Sequence, residues 1–185
     1  MKLLEKLEKN GIIRKIDEVD FCSPMFIIQK QTNKDLNKHN YRLLVDFRIL
    51  NSYIIQPQID PPHLSNVVDS ISKTKARLFS ALDASEGFFQ QVLDEKSQKH
   101  TAFIGPDSII RCFERTPQGL ACSPLYFQKL TRKIIRGCKY ANCYIDDILI
   151  ATIDAETSLS TLDKILKRCI EFKLKLNGEK CKFLQ

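Results

Sequence analysis

The sequence predicts an α+β fold, a single domain in which short strands are interleaved with helices. Two patterns predict it, and length bounds it. Short apolar runs bounded by turn residues recur along the chain, some of them as pairs around a turn cluster, as hairpins require. Segments of helical period lie between them. The 185 residues suit one domain with a sizeable core, or at most two small ones, and no repeat, low-complexity tract or linker interrupts them.

Lys2 to Lys9 carries Leu3, Leu4 and Leu7 at helical spacing, and Asn10-Gly11 is a helix stop, so a short helix opens the chain. Ile12 to Ile16 and, beyond Ser23-Pro24, Met25 to Ile28 read as strands. Gln31 to Asn40 is polar and lysine-bearing, a loop from which Tyr41 to Phe47 returns as a strand; the expected element is a basic-tipped hairpin. Pro57, Pro61 and Pro62 punctuate an irregular connection, after which Leu64, Val67, Val68 and Ile71 have helical period. Leu78 to Leu82 is an apolar strand ending in Asp83. Thr101 to Ile104 and Ile109 to Phe113 flank the turn cluster Gly105-Pro106-Asp107-Ser108 and should pair. From Ser123-Pro124 to Arg136 the pattern of Leu125, Phe127, Leu130, Ile134 and Ile135 is helical, with Pro124 suited to a first turn. Tyr144 to Ile150 is apolar on both sides of two acids, and a last helix is expected around Leu159 to Leu174.

Hydrophobic residues at 43% and charged residues at 28% fall in the globular range. The longest stretch free of Asp, Glu, Lys and Arg, Thr116 to Gln128, is shorter than the roughly 18 apolar residues of a spanning helix, so no membrane partner is expected. The N-terminus turns charged at once and has no apolar h-region, which makes a reducing compartment the expectation. Seven cysteines, an odd number with no C-x-x-C pair, argue against a zinc ribbon and a disulfide framework and predict buried, reduced thiols. His39, His63 and His100 lack zinc-ligand spacing, and the six glycines are too dispersed for a P-loop or a Rossmann fingerprint.

Lys and Arg number 29 against 22 acids, a net charge of +7 that favours a polyanionic partner. The excess is local. From Arg111 to Ile145, the cations Arg111, Arg115, Lys129, Arg132, Lys133, Arg136 and Lys139 face a single acid, Glu114. On charge alone, a solvated helix face and a phosphate-tracking surface both fit.

Asp146-Asp147 inside an apolar strand pair is a local conflict, because like charges repel and desolvating either is costly. Asp83, at the end of another apolar run, repeats the anomaly. Carboxylates at the ends of strands that are separate in sequence are what a site for hard divalent cations requires, since Mg²⁺ prefers oxygen ligands and keeps several waters. Taken singly, Asp146-Asp147 also fits an exposed hairpin tip, and Asp83 a helix cap.

Tyr144-Ile145-Asp146-Asp147 with its apolar flanks resembles the Y-x-D-D box of reverse transcriptases. In family order around it stand Ser23-Pro24, Tyr41 to Asn51, Phe79-Ser80-Ala81-Leu82-Asp83, Thr101-Ala102-Phe103, Pro117-Gln118-Gly119-Leu120, Ser123-Pro124 with Phe127-Gln128, and Leu176-Asn177 with Lys180-Cys181. The chain is similar over essentially its whole length to the reverse transcriptases of LTR retrotransposons, gypsy-type or retrovirus-like. The resemblance implies the fingers (about 1–75) and palm (about 76–185) of a right-handed polymerase, the palm an antiparallel sheet backed by helices. It implies an RNA-directed DNA polymerase, in which Asp83 and Asp146 hold a pair of Mg²⁺ ions with Asp147 beside them; Mn²⁺ would serve in their place. Two such ions, about 3.5 to 4 Å apart, activate a primer 3′-hydroxyl and hold the triphosphate in nucleotidyl transfer.

The resemblance further implies dNTP contacts at Lys30, Arg42, Ala84, Phe88, Gln118 and Gly119. Of these, Lys30 and Arg42 meet the triphosphate and Phe88 gates against the sugar 2′-hydroxyl. Gln118 departs from the phenylalanine more usual in gypsy-type elements and matches retroviral enzymes. Tyr144, Arg132, Lys133 and Arg136 are the implied template-primer contacts, on RNA or DNA.

The family continues beyond such a segment into a primer-grip hairpin, a thumb, a connection, RNase H and integrase. The expectation is therefore a truncated part of a Pol polyprotein, located in cytoplasmic element particles with a nuclear phase. A non-catalytic remnant that binds nucleic acid or a protein through the basic face is the alternative. A Mg²⁺ nuclease built on the same acids would leave Lys30, Arg42, Phe88 and Gln118 without a role.

Overall fold

The computed structural model describes residues 2–29, 41–55 and 63–185. Lys30, the loop from Gln31 to Asn40 and the prolines at 57, 61 and 62 lie outside the described residues. Along the chain run α1 (Lys2–Lys9), β1 (Ile13–Lys15), β2 (Met25–Gln29), β3 (Tyr41–Val45), α2 (Arg48–Tyr53), α3 (Leu64–Lys73), β4 (Leu78–Asp83), α4 (Glu95–Gln98), β5 (Phe103–Ile104), β6 (Ile110–Phe113), α5 (Ser123–Ile135), β7 (Ala141–Tyr144), β8 (Asp147–Thr152) and α6 (Ala155–Glu171). Short 3-10 turns occupy Gly87–Gln90 and Lys99–Thr101. Helices and antiparallel sheets together make the predicted α+β class.

The chain forms two compact units, Met1–Gln56 with Gln91–Ser123, and Pro57–Gln90 with Pro124–Gln185. The 91–123 segment joins the first unit because β6 pairs antiparallel with β1, Ile13 opposite Phe113, and with β5, Phe103 opposite Arg111.

In the first unit α1 buries Leu4 and Leu7. Gly11, at φ +62, closes it: the Gly11 N–H donates to Glu8 O and the Ile12 N–H to Leu7 O, the paired bonds of a Schellman motif. Ile13, Phe47, Phe103 and Phe113 are all buried, the Phe113 ring lying 6.2 Å from Phe47 and 5.5 Å from Phe103. β2 and β3 pair antiparallel, Ile27 opposite Leu43. β3 turns Leu43 and Val45 inward, while β2 is exposed over most of its length. The strand expected to run to Phe47 stops at Val45, because the Asp46 carboxylate accepts the Arg48 N–H and side chain and starts α2, an unforeseen helix.

In the second unit the sheet order is β4-β8-β7. The outer edge of β4 is covered by the C-terminal segment: Ala81 and Lys182 exchange N–H···O bonds of 2.8 and 2.9 Å, and Phe79 does the same with Gln185. One face of this sheet is closed by α5 and α6 over Leu82, Phe127, Ile134, Ile148, Ile150 and Ile165. α6 begins at Ala155, four residues before its expected start, because the Asp154 carboxylate caps the Thr157 N–H at 2.8 Å. α3 has the predicted helical period but buries none of its residues.

The seven cysteines are all free. Cys112, Cys143 and Cys169 are buried, as expected of all seven, whereas Cys22, Cys122, Cys138 and Cys181 are only half-buried. Burial pushes the Cys169 thiol up to about 11. Among the described residues no helix is long and apolar enough to cross a membrane.

Candidate active site

The second unit brings the three carboxylates to one end of its sheet. β4 and β8 pair without a break from Leu78 opposite Thr152 to Asp83 opposite Asp147. Residues directly opposite in an antiparallel pair share a face with Cβ atoms about 4.5 to 5.5 Å apart. β7 meets β8 at Tyr144 opposite Asp147, so Ile145 and Asp146 are the two loop residues of a tight hairpin. Asp147 therefore lies between the hairpin tip and Asp83, and apolar neighbours such as Leu82 and Ile148, both 1% exposed, fix the strands that carry it.

The charges are not balanced within the site. Burial, then the charges of Asp146 and Asp83, push the Asp147 carboxyl above its ordinary value, opposed only by Lys180. Lys180 Nζ lies 3.4 Å from Asp83 Oδ2, with three-quarters of the Asp83 side chain shielded from solvent. Asp83 Oδ1 is buried with no hydrogen-bond partner. Among the described residues no three His, Cys, Asp or Glu side chains are drawn into a ready-made ligand cluster. The donor set nevertheless fits a hard divalent cation: three carboxylates, no sulfur, mutual repulsion and an orphaned buried oxygen.

Ala84 follows Asp83 and is buried, its backbone bridging to Leu176, so its methyl belongs to the core. Phe88 is half-buried in a 3-10 turn and meets the Phe127 ring edge-on at 5.8 Å, which makes it a packing residue whatever else it does. Tyr144 is exposed at the end of β7. Arg132, Lys133 and Arg136 are exposed on α5 and just beyond it.

Arg42, Gln118 and Gly119 belong to the first unit. Arg42 is exposed on β3 opposite Ile28, Gln118 is half-buried, and Gly119 has φ +99, a conformation that favours glycine. A residue that sequence reasoning gave no role, Asn51, fixes this loop: its amide donates to Gly119 O and accepts from the Ala121 N–H, both at 2.9 Å. Lys30 lies outside the described residues.

One cation of the basic segment is not available to a polyanion. Arg111 is buried and held by Asp107 and Glu8, because its strand position points it into the first unit.

Residues 28–185 match the family model described as reverse transcriptase (RNA-dependent DNA polymerase). The chain belongs to the reverse transcriptase family. It is 30% identical over 182 residues to the retrovirus-related Pol polyprotein from transposon 412 of Drosophila melanogaster, covering 97% of this chain and 14% of that protein. To the Pol polyprotein from transposon gypsy of the same fly it is 27% identical over 184 residues, covering 98% and 17%. This reverse transcriptase segment thus spans a small part of the length of the polyproteins it matches. A foamy viral protease-reverse transcriptase solved in complex with double-stranded DNA superposes over 100% of this chain and 31% of its own, with TM-score 0.84 and 22% identity. A complex of that foamy viral enzyme with an RNA/DNA hybrid gives TM-score 0.82 over 99% of this chain and 23% of its own, also at 22% identity. These likenesses identify the fold as that of the corresponding reverse transcriptase segment.

Proposed function

We propose that this chain is the fingers-and-palm catalytic module of an RNA-directed DNA polymerase from a retrotransposon Pol polyprotein, the first unit serving as fingers and the second as palm. The observation that carries the reading is the β4–β8–β7 register, which sets Asp83 opposite Asp147 beside the Asp146 turn and leaves Asp83 Oδ1 buried and unpartnered. Asp83, Asp146 and Asp147 would hold the divalent ions, Mg²⁺ or Mn²⁺, which would lower the pKa of a primer hydroxyl and stabilise the leaving pyrophosphate. The carboxylates' part is to be rigid and under-neutralised, so that cation binding replaces repulsion with attraction. Arg42, and Lys30 with it, would neutralise triphosphate charge, and Gln118 and Gly119 would meet the nucleotide. Phe88, braced by Phe127, would crowd a sugar 2′-hydroxyl. Such a module works where an element's particles assemble, in the cytoplasm with a nuclear phase.

The test is Mg²⁺-dependent addition of dNTPs to a primer on an RNA template. Asp146→Asn should abolish addition while leaving primer-template binding intact. Equal addition after that change would sink the assignment. Salt-sensitive primer-template binding with no Mg²⁺-assisted dNTP binding would favour the non-catalytic remnant instead.

The basic face makes a separate prediction. Joint replacement of Arg132, Lys133 and Arg136 by alanine should weaken primer-template binding alike for all sequences. It should also reduce the slope of log K against log salt by about 0.9 per lost phosphate contact. Titrations at several salt concentrations measure both, and an unchanged slope would remove these residues from the interface.

A further inference from the structure

Ile145, the first loop residue of the Asp146-Asp147 hairpin, has φ +56. A two-residue hairpin loop demands positive φ at its first position, and glycine or asparagine ordinarily supplies it. Isoleucine is among the residues least suited, since a β-branched side chain in the left-handed region is strained, and such strain persists only where the surroundings over-determine it.

The surroundings here are two buried polar side chains on α5. Gln128 and Thr131 are 1% and 0% exposed and stand one turn apart on the face that otherwise carries Phe127 and Ile134. The Ile145 N–H donates to Gln128 Oε1. Gln128 Nε2 donates to Cys143 O at 3.3 Å and lies 3.2 Å from Cys143 Sγ, while the single hydroxyl hydrogen of Thr131 is shared between Ile145 O and its own helix's Gln128 O, both at 3.1 Å. Both backbone groups of the strained residue are thus held by side chains of a neighbouring helix. The amide of Gln128 spans from Cys143 to Ile145, so it fixes the end of β7 and the turn together.

We propose that Gln128, assisted by Thr131, is a positioning residue: it clamps the left-handed turn at Ile145 and so sets where Asp146 and Asp147 present their carboxylates to a divalent cation. This rests on reading those carboxylates as ligands. Packing alone would be served as well by methionine at 128, which has nearly the same shape and can make none of these bonds.

The experiment uses the whole chain and Mn²⁺ as the probe, with affinity read by electron paramagnetic resonance and the Ile145 amide followed by hydrogen exchange. Gln128→Met should keep the circular dichroism of the wild type, speed exchange at Ile145 and weaken Mn²⁺ binding about tenfold, as loss of an outer-shell partner does. Thr131→Val should act in the same direction to a smaller extent. Ile145→Gly, which adopts positive φ without a clamp, should restore most of the Mn²⁺ affinity lost in Gln128→Met, a rescue that a merely structural defect would not show. Unchanged Mn²⁺ affinity in Gln128→Met, or a loss that Ile145→Gly does not repair, overturns the inference. Asp146→Asn is the control: if it binds Mn²⁺ as tightly as the wild type, the ligand reading fails, and the Ile145 exchange rate still decides whether the clamp exists.

Discussion

Arg111→Met should destabilise the first unit by about 3 kcal/mol, the low end of what is lost when one partner of a buried ion pair is removed. Arg111 is 3% exposed. Its guanidinium donates to Glu8 Oε1 at 2.6 Å, to both oxygens of Asp107 at 2.7 Å and to Ile109 O at 3.2 Å. Methionine preserves the stem and leaves two carboxylates in a site shaped for a cation. Those carboxylates keep some solvent, 18% for Asp107 and 24% for Glu8, which is why the low end applies. The arrangement also explains Gly105: a Cβ there would come within 2.5 Å of Arg111 Nη1 and 2.6 Å of Asp107 Oδ1, so the ion pair leaves room only for glycine.

The pH dependence has a definite sign. Arg111 holds the Asp107 carboxyl well below the usual carboxylate range. A depressed carboxylate contributes stability that is present above its unfolded pKa, about 3.9, and lost as pH falls through the folded value. The difference between wild type and Arg111→Met should therefore be full at neutral pH and shrink below about pH 4. Urea unfolding at pH 7 and pH 3 measures it. A loss under about 1 kcal/mol at pH 7, within the range of an exposed pair, would show that the pair is not structural.

Arg111 also marks where sequence reasoning stops. Counting charge between Arg111 and Ile145 treated it as one more surface cation, because a sequence shows charge but not which strand position faces inward. The Asp83 strand and the Asp146-Asp147 hairpin were legible for the opposite reason: short apolar runs interrupted by acids can be satisfied in few ways, and the observed register is one of them. The interleaving of the two units was hidden because it depends on pairing β1 with β6, about a hundred residues apart in sequence. Asn51, Gln128 and Thr131 left a fainter trace. Gln128 and Thr131 are polar residues on the apolar face of a helix, a pattern that calls for a buried partner but cannot name it. The strand pattern that runs through Asp46 hides the turn that precedes α2, and the apolar period of α6 begins only after its Asp154 cap.

Asp83→Asn should move stability and activity in opposite directions. In the wild type, burial and the charges of Asp146 and Asp83 disfavour the charged form of the Asp147 carboxyl. A carboxylate whose folded pKa is raised favours the fold fully below its unfolded pKa and loses that contribution as pH rises through the folded value. Neutralising Asp83 removes part of the cause, so without divalent ions the variant should melt about 2 °C higher at pH 7. That advantage should fade below about pH 4, where Asp147 is protonated in either protein. The lost pair with Lys180 subtracts little, since Lys180 is 65% exposed. Activity should fall on the order of a thousandfold or more, because removing a cation's ligand forfeits several kcal/mol of transition-state stabilisation at about 1.4 kcal/mol per tenfold. Adding Mg²⁺ should then raise the melting temperature of the wild type and not of the variant. Melts in chelator and in Mg²⁺, run beside primer extension, read all three effects. A variant that melts several degrees lower in chelator would mean that Asp83 stabilises the metal-free sheet through its own contacts. The excess negative charge at the strand ends would then not be what this site holds in reserve for a cation.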